Sequence, residues 1–507
     1  MAVPAPQMSN AWTARNGVFP TWQTGLAGYL GALDCPATPP STPLLRFARL
    51  RKRGCGEGAN PIALPMIQVI PNLQDVDQAS GLQRRLYRTL RETLRAIAGR
   101  ICGVANWEAK KLLARHLWLD AEHANALRSR VLELRFPRVD VDLAVDRALM
   151  EVLAKLPSTR SDAEFLGGVY QVVKPAVLAA LERYLQCSDA LDDAPSHRAL
   201  RIVVDELRGE LAEFDAWWHA VAVDQRAAAA PWQAWLGEAL AQAGGVFGQD
   251  SGAGLLDRPG FSDRPRYEIP LMPARDPRWL PAVTQVPPRP PRTPQEQQVW
   301  IAIDHVNELW ACELPAALIW HHDNQAWSLY RDTARWAYDE MRHAQMGERR
   351  LLAYGFELGV DVPMVPDHWV GVCTHGGLAA MLFVVHGLEQ GGPQWKAQLK
   401  TDLWNMGDPY SSQDCDYDWA DEAGHIRYGQ AWLKSLFPDL PKSEIIRRTQ
   451  HEVEQWKEWI AETHRSGRHG YHEFLPRIET KCARMPQLAH PEHFQALGSS
   501  AATRSYA

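Results

Sequence analysis

Two short stretches of the chain, Asp339–Ala344 (DEMRHA) and Asp421–Ile426 (DEAGHI), each place a Glu three residues before a His and an Asp directly before that Glu. Of the 18 histidines, only the two in these stretches have a Glu at this spacing. Residues three apart lie on one face of a helix, so each Glu–His pair can reach a single metal ion. The pattern therefore predicts two metal-ligating helices. Their ligands would be Glu340, His343, Glu422 and His425.

One Glu-x-x-His on a helix is ordinarily a solvated pair of surface side chains. The repetition of the longer Asp-Glu-x-x-His segment is what favours metal binding over that interpretation. Carboxylates together with neutral imidazoles suit iron or manganese. In ferritin-like dimetal bundles, two Glu-x-x-His helices are joined by two helices that each supply one Glu. The sequence should therefore hold two further carboxylate ligands.

The first of these ligands is predicted to be Glu313, in the segment NELWACELPAALIW at residues 307–320. Its neighbours at helical spacing are apolar, and burying a carboxylate there is costly unless a positive charge meets it. Glu308 lies on a less apolar face and ranks lower. The second ligand is predicted to be Glu389, at the end of the apolar run MLFVVHGLEQGG, with His386 as a rival on the same helix.

The two Asp residues of the repeated segments have a predicted role of their own. A metal-bound His usually donates its second ring N–H to a carboxylate, which fixes the tautomer and the ring orientation. Asp339 and Asp421 are placed to accept that hydrogen bond, each from the His of the opposite helix. Arg342 could close the network by pairing with one of the two.

Composition limits the class of protein. With 507 residues the chain is too long for one compact core, and 46% hydrophobic with 22% charged residues is ordinary for a soluble protein. The net charge of −6 gives no sign of a nucleic-acid partner. The apolar runs are too short to span a membrane. The 8 Cys are scattered with no C-x-x-C pair, which is typical of the cytoplasm, where we expect the protein.

The chain divides by pattern into five parts. We predict an irregular segment at 1–80, a helical domain at 81–245, a Pro-rich linker at 246–295, a second helical domain at 296–470 and a tail at 471–507. The linker contains VPPRPPRTP at residues 286–294, which excludes a helix. A helix should resume there, with Thr293 as its N-cap. The predicted helices of the second domain are 294–320, 325–354, 375–404, 411–436 and 443–466. The fold class is all-α, with a ferritin-like four-helix bundle in the C-terminal half.

Residues from about 300 to 436 resemble an uncharacterised bacterial ferritin-like family, grouped as a domain of unknown function. The matching pieces are ELWACELPAALIW, DEMRHAQMGERRLLAYGF, GDPYSS and DEAGHIRYGQAWL. The resemblance implies a dimetal bundle. Its ligand positions would be held by Glu313, Glu340, His343, Glu422 and His425. The chain departs from the family in the third helix, where it reads VVHGLEQ, and the family supplies no assigned reaction.

The N-terminal half aligns with the C-terminal half as a degenerate repeat. In this alignment Glu92 falls on Glu313, while Asp120 and His123 fall on Glu340 and His343. The second half-site is incomplete, because VVDELRGEL offers Glu206 but has Gly209 where a His is needed. We therefore expect a duplicated bundle without metal, with a second metal centre as the alternative.

These features predict a non-haem dimetal oxygenase or oxidase. The expected cofactor is two iron ions, with Mn/Fe as an alternative, and O₂ is the expected co-substrate. The substrate would be a small apolar, aromatic or amine-bearing molecule, because 12 of the 21 Trp lie after residue 299 and could line a pocket. An electron donor is a required partner, membrane and nucleic acid are not expected, and a homodimer is left open. The alternatives are iron storage or peroxide detoxification, and a tRNA-modifying hydroxylase.

Overall fold

The computed structural model describes residues 74–134, 141–142, 146–365 and 369–496. The predicted irregular segment at 1–80 lies almost wholly outside these ranges, as does the end of the predicted tail. Within them the chain is helical and contains no strand, apart from one isolated bridge between Leu358 and Val362. The all-α prediction is therefore confirmed.

The N-terminal half contributes seven helices. They are α1 (Val76–Ile101), α2 (Trp107–Glu133), α3 (Arg147–Lys155), α4 (Asp162–Gly168), α5 (Lys174–Cys187), α6 (Ala194–Ala220) and α7 (Val223–Gln242). A π-helical turn, Val169–Val173, joins α4 to α5. The continuous run Asp162–Cys187 is long and apolar enough to cross a bilayer, but most of it is buried inside the protein. It is thus placed as a core helix.

No helix occurs between α7 and residue 294, where the chain is rich in Pro. The C-terminal half then contributes seven more helices. They are α8 (Pro294–Asn307), α9 (Leu309–His321), α10 (Trp327–Ala353), α11 (Thr374–Met406), α12 (Pro409–Leu436), α13 (Lys442–Arg465) and α14 (Phe474–Cys482). The Thr293 hydroxyl accepts a hydrogen bond from the Glu296 amide, so the predicted N-cap is confirmed. Helix α14 lies in the stretch that was expected to be a tail.

The helix predicted at 294–320 is interrupted at Glu308. There the amide N–H bonds to the carbonyl of His305, three residues back, which tightens one turn and separates α8 from α9. Pro315, inside α9, also lacks the N–H that would bond to the turn before it. The periodicity of apolar residues continues across the break, so it predicts one helix where the structure has two.

The bundle that matters for function consists of α8 and α9 together, α10, α11 and α12. Helix α10 packs against α8, α9 and α12, and α11 packs against α12. Gly347 allows α10 to lie close against α8, because a Cβ at this position would lie 2.4 Å from the Val306 amide nitrogen. The two helical halves share one hydrophobic core, in which α1 packs on α9 and α2 on α10. The four helices of the bundle therefore converge on a buried interior.

Candidate metal centre

The centre is built around the carboxylate of Glu340. One of its oxygens lies 3.1 Å from Nδ1 of His425 and the other lies 3.5 Å from Nδ1 of His343. The two imidazole rings, from α12 and α10, are 5.8 Å apart between centroids. The indole N–H of Trp336 donates to Glu340 at 2.9 Å and holds the carboxylate in place. This geometry puts a single carboxylate between two histidines.

Each histidine also faces a carboxylate from another helix. Glu308, at the break between α8 and α9, lies 3.2 Å from Nδ1 of His343. Glu389, on α11, lies 3.6 Å from Nδ1 of His425. Four groups of the described residues could hold a metal ion, with donor atoms within 4.8 Å of one another, and two of them share Glu340. One is Glu308, Glu340 and His343; the other is Glu340, Glu389 and His425.

Glu422 completes the carboxylate set. Burial, followed by the charge of Glu389, raises its pKa well above the usual value, since two carboxylates without a cation between them resist joint ionisation. A Cβ at Gly392 would lie 3.1 Å from the Glu422 carboxyl carbon, so glycine leaves room for it. Four carboxylates and two imidazoles thus converge from four helices.

The two Asp residues lie against the outer nitrogens of the histidines, each across the bundle. Asp421 lies 3.3 Å from Nε2 of His343, and Asp339 lies 3.7 Å from Nε2 of His425. Arg342 donates to both Asp residues, at 2.5 Å to Asp339 and 2.9 Å to Asp421. A neutral imidazole with its Nε2 proton toward the Asp would direct the lone pair of Nδ1 toward the interior. The role of these three residues as orienting groups stays a prediction.

Glu313 is in none of the candidate metal groups of the described residues, and its assignment as a ligand stays a prediction. Its fully buried carboxylate pairs with Lys110 of α2, and Arg275 donates to it at 2.7 and 3.0 Å. The argument that a buried carboxylate needs a positive partner was sound, but the partners are two side chains distant in the sequence. Glu308 occupies the position that was expected for Glu313.

Of the two candidates on α11, Glu389 rather than His386 lies next to His425 of the centre. Nε2 of His386 lies 2.8 Å from the side-chain nitrogen of Gln390, and His386 is absent from all four groups of the described residues that could hold a metal. It packs instead against Gly429 of α12, where a Cβ would lie 2.9 Å from Nδ1 of His386. Its task in the described structure is helix packing.

A second layer of polar groups was not predicted from the sequence. The ammonium of Lys396 contacts Asp418 and lies 3.0 Å from Glu308, and His305 lies 2.9 Å from Asp418. Burial lowers the pKa of Lys396, but Asp418 and Glu308 outweigh it and hold that pKa well above its usual value. Lys396 therefore binds the outer oxygen of Glu308 as a cation. The position of Asp418, four residues before Glu422, was the available signal.

The residues present fit a metal pair. Several buried nitrogen and oxygen atoms at the centre have no hydrogen-bond partner among the residues that the structure describes. They are Nδ1 of His343, Nδ1 of His425, Oε2 of Glu308, Oε2 of Glu422 and Oδ1 of Asp418. Burying such atoms unpaired is costly, and a cation bound among them would satisfy them together. Nitrogen and oxygen donors in this mixture suit iron or manganese.

A cavity of about 60 Å³ adjoins the centre. Glu308, Glu340, Glu389 and Glu422 form part of its wall. The rest is largely apolar or aromatic and includes Trp310, Trp395, Trp456, Val385 and Leu388. A volume of this size holds a few water-sized molecules or a short organic chain. The carboxylate cluster is thus reachable by a small molecule.

The N-terminal half carries a related cluster of Asp120, His123 and Glu210. The buried ammonium of Lys174 lies 2.9 Å from Asp120 and also contacts Glu210. Nε2 of His123 lies 2.8 Å from Glu206, as Nε2 of His343 faces Asp421. If Glu206 corresponds to Asp421, then Glu210, rather than Gly209, is the residue of the N-terminal half that corresponds to His425. Glu92 is not in the cluster and pairs with arginines of its own helix instead.

Residues 255–479 match the model of a family described as a protein of unknown function (DUF455). That range contains every residue of the candidate centre. No curated protein and no solved structure matches the chain.

Proposed function

We propose that the C-terminal bundle is a ferritin-like dimetal carboxylate centre. On this proposal the protein is an O₂-activating oxygenase or oxidase of a small organic molecule. The single observation that carries the proposal is the placement of Glu340 between His343 and His425, one oxygen toward each ring. A carboxylate in this position is suited to bridging two metal ions.

Charge balance supports two divalent ions rather than one. The four clustered carboxylates and Asp418 carry five negative charges when ionised, and Lys396, which contacts both Asp418 and Glu308, neutralises one of them and leaves four. Two divalent cations would neutralise the four charges, and each would find one imidazole and at least two carboxylates. Iron is the preferred metal for this donor set, and an Mn/Fe pair is the alternative.

Two iron ions, when bound, supply the binding and reduction of O₂. Insertion of one oxygen atom into a C–H or N–H bond also consumes two electrons and two protons and releases one water, so the protein needs an electron donor. The residues of the chain do the rest. Asp421 would hold the Nε2 proton of His343, while Asp339 lies near Nε2 of His425 at 3.7 Å. Trp336 orients Glu340, and the aromatic wall limits access of water to the cavity.

Two other functions compete with this one. Iron storage uses the same ligands but has no need for a cavity lined by three Trp beside the centre. A tRNA hydroxylase needs a basic surface, and the one basic run noted in the sequence, RLRKRG at residues 49–54, lies outside the described residues. We therefore retain the small-molecule oxygenase, located in the cytoplasm, as the proposal.

Stopped-flow absorbance tests the proposal. The iron-loaded protein is reduced chemically and mixed with O₂, with and without small amines and aromatics. We expect O₂ consumption that depends on the added compound and transfers one oxygen atom or two electrons per O₂. If the protein instead mineralises many iron ions per chain, to the same extent with and without the added compounds, iron storage would be the better assignment.

A further inference from the structure

One carboxylate in the cavity wall, that of Asp304, forms no ion pair with the residues that the structure describes. Asp304 lies on α8 one helical turn before Glu308, so both side chains share a face. It lines the same cavity as the candidate ligands. Its one hydrogen bond among the described residues comes from the side-chain amide of Gln285 at 3.2 Å.

The other acidic groups next to the centre are paired. Asp418 contacts Lys396, and Asp339 and Asp421 share Arg342. Among the described residues, Asp304 forms no ion pair. Lys396 lines the same cavity, but its ammonium is hydrogen-bonded to Asp418 and Glu308. Burying the carboxylate of Asp304 without an ion pair is costly, and a ligand cation would remove this cost.

The surroundings of Asp304 suit an organic cation. Three indoles line the cavity, from Trp310, Trp395 and Trp456, and the face of an indole attracts an ammonium group. Val385 and Leu388 add apolar surface. Hydrated metal ions gain little from aromatic and aliphatic walls, whereas a short alkyl chain with a charged end uses both features.

We propose that this cavity binds a small primary amine, with its ammonium group on Asp304 and its hydrocarbon chain directed toward the carboxylate cluster. Four residues of helix separate Asp304 from Glu308, a rise of about 6 Å. An alkyl chain of a few carbons bridges that distance. The inference deepens the proposed function, because it names the substrate class of the same centre.

Calorimetry on the full-length protein loaded with Mn²⁺ tests binding without any oxidation. The probes are n-butylamine and 1-butanol, which have similar size and differ in charge. We expect the amine to bind at least about 10-fold more tightly than the alcohol. Asp304→Asn should weaken amine binding by about 10- to 100-fold, since it removes a charged hydrogen bond, and should leave alcohol binding and metal content unchanged.

Asp402→Asn is the matched control. Asp402 also accepts a hydrogen bond from a glutamine, Gln398 at 2.8 Å, but on the protein surface, so its loss should not change amine binding. Equal binding of amine and alcohol, or an unchanged affinity in Asp304→Asn, would overturn the inference. A loss of metal in Asp304→Asn would also overturn it, by making Asp304 part of metal uptake.

The outcome is separable from that of the proposed function. If the amine binds through Asp304 but the reduced iron protein consumes no O₂ in its presence, the oxygenase proposal fails and the binding inference stands. If O₂ consumption is stimulated equally by butylamine and butanol, the oxygenase stands and the amine inference fails.

Discussion

Glu308 and Glu313 are five residues apart, yet their carboxylates meet different partners. Glu308 faces His343 with an oxygen that lacks a hydrogen-bond partner, while Glu313 is enclosed by Lys110 and Arg275. Both are buried carboxylates, and each needs positive charge nearby. The identity of that charge, a side chain or a metal ion, decides which glutamate belongs to the centre.

Substitution of the two glutamates should separate these roles. Glu308→Gln should lower the metal content from two ions to one per chain, with a small effect on folding. Glu313→Gln should keep both ions but lower the free energy of unfolding by about 3–5 kcal/mol, because it leaves buried cations unpaired. Elemental analysis measures the metal content of the two variants, and urea denaturation measures their free energy of unfolding. Loss of metal in Glu313→Gln alone would instead support Glu313 as a ligand.

A second residue-level prediction concerns Asp339. Asp339→Ala should retain most of the metal but lose about 10- to 100-fold in activity or metal affinity, because His425 loses the carboxylate that faces Nε2. The matched change is Asp416→Ala, which removes only a surface pair with Lys400 and should behave as wild type. Equal behaviour of the two variants would deny Asp339 an orienting role.

The ligands that sequence reasoning placed at the centre are those with local signals. Glu340 with His343, and Glu422 with His425, follow from a spacing within one helix. Glu313 and Lys396 depend on partners far away in the chain, namely Lys110 for the one and Asp418 for the other. No local pattern encodes such pairings, so the sequence could not supply them.

At the scale of helices, the crossing of α8 and α10 sets the distance between Glu308 and His343. The crossing is close because Gly347 lies against the backbone of α8, where an added Cβ would meet the Val306 nitrogen at 2.4 Å and the Ala302 carbonyl oxygen at 2.6 Å. Backbone atoms cannot rotate away as side chains can. The glycine thus allows the close approach of α8 and α10, the helices that carry Glu308 and His343 to the candidate centre.

Gly347→Ala should therefore push α8 away from α10. We expect a loss of about 1–3 kcal/mol in the free energy of unfolding and weaker binding of one metal ion. Gly424→Ala on α12 is the control, since its nearest neighbour would be a Tyr428 ring atom at 3.5 Å and alanine favours helix by about 1 kcal/mol. Thermal melts that show the two variants equally stable would contradict the packing argument.

Helix existence was predictable, while helix interruption was not. The N-cap residue Thr293 predicts the start of α8, and the spacing of apolar residues predicts helix as far as residue 320. The tightened turn at Glu308 does not disturb the helical spacing of apolar residues, because it shifts that spacing by less than one residue. The apolar residues continue on both sides of the break, and only tertiary packing shows that the candidate ligand Glu308 lies at it.

At the scale of the whole molecule, the two halves present related clusters that are neutralised differently. In the N-terminal half, Lys174 supplies the positive charge between Asp120 and Glu210. In the C-terminal half, the ammonium of Lys396 contacts Asp418 and Glu308, but no ammonium group of the described residues contacts Glu340, the carboxylate that lies between the two histidines. This contrast favours metal in the C-terminal half and none in the N-terminal half, as the missing His in the repeat had indicated.

His123→Ala should then leave the metal content at two ions per chain, whereas His343→Ala and His425→Ala should each abolish stable loading. The ammonium of Lys174 already lies against Asp120 and Glu210, the two carboxylates grouped with His123, so the loss of His123 should cost stability and not metal. Metal analysis of the three purified variants decides the point. A halved metal content in His123→Ala would make the N-terminal cluster a working site.

The central claim is a coupled pair of metal ions bridged by Glu340, and Mössbauer spectroscopy of the protein loaded with ⁵⁷Fe tests it most directly. We predict two ferric ions per chain in one antiferromagnetically coupled, diamagnetic ground state. His425→Ala should abolish that signal, while His123→Ala should leave it intact. Iron present as a single uncoupled ion, or a protein that retains one zinc and takes up no iron, would contradict the account.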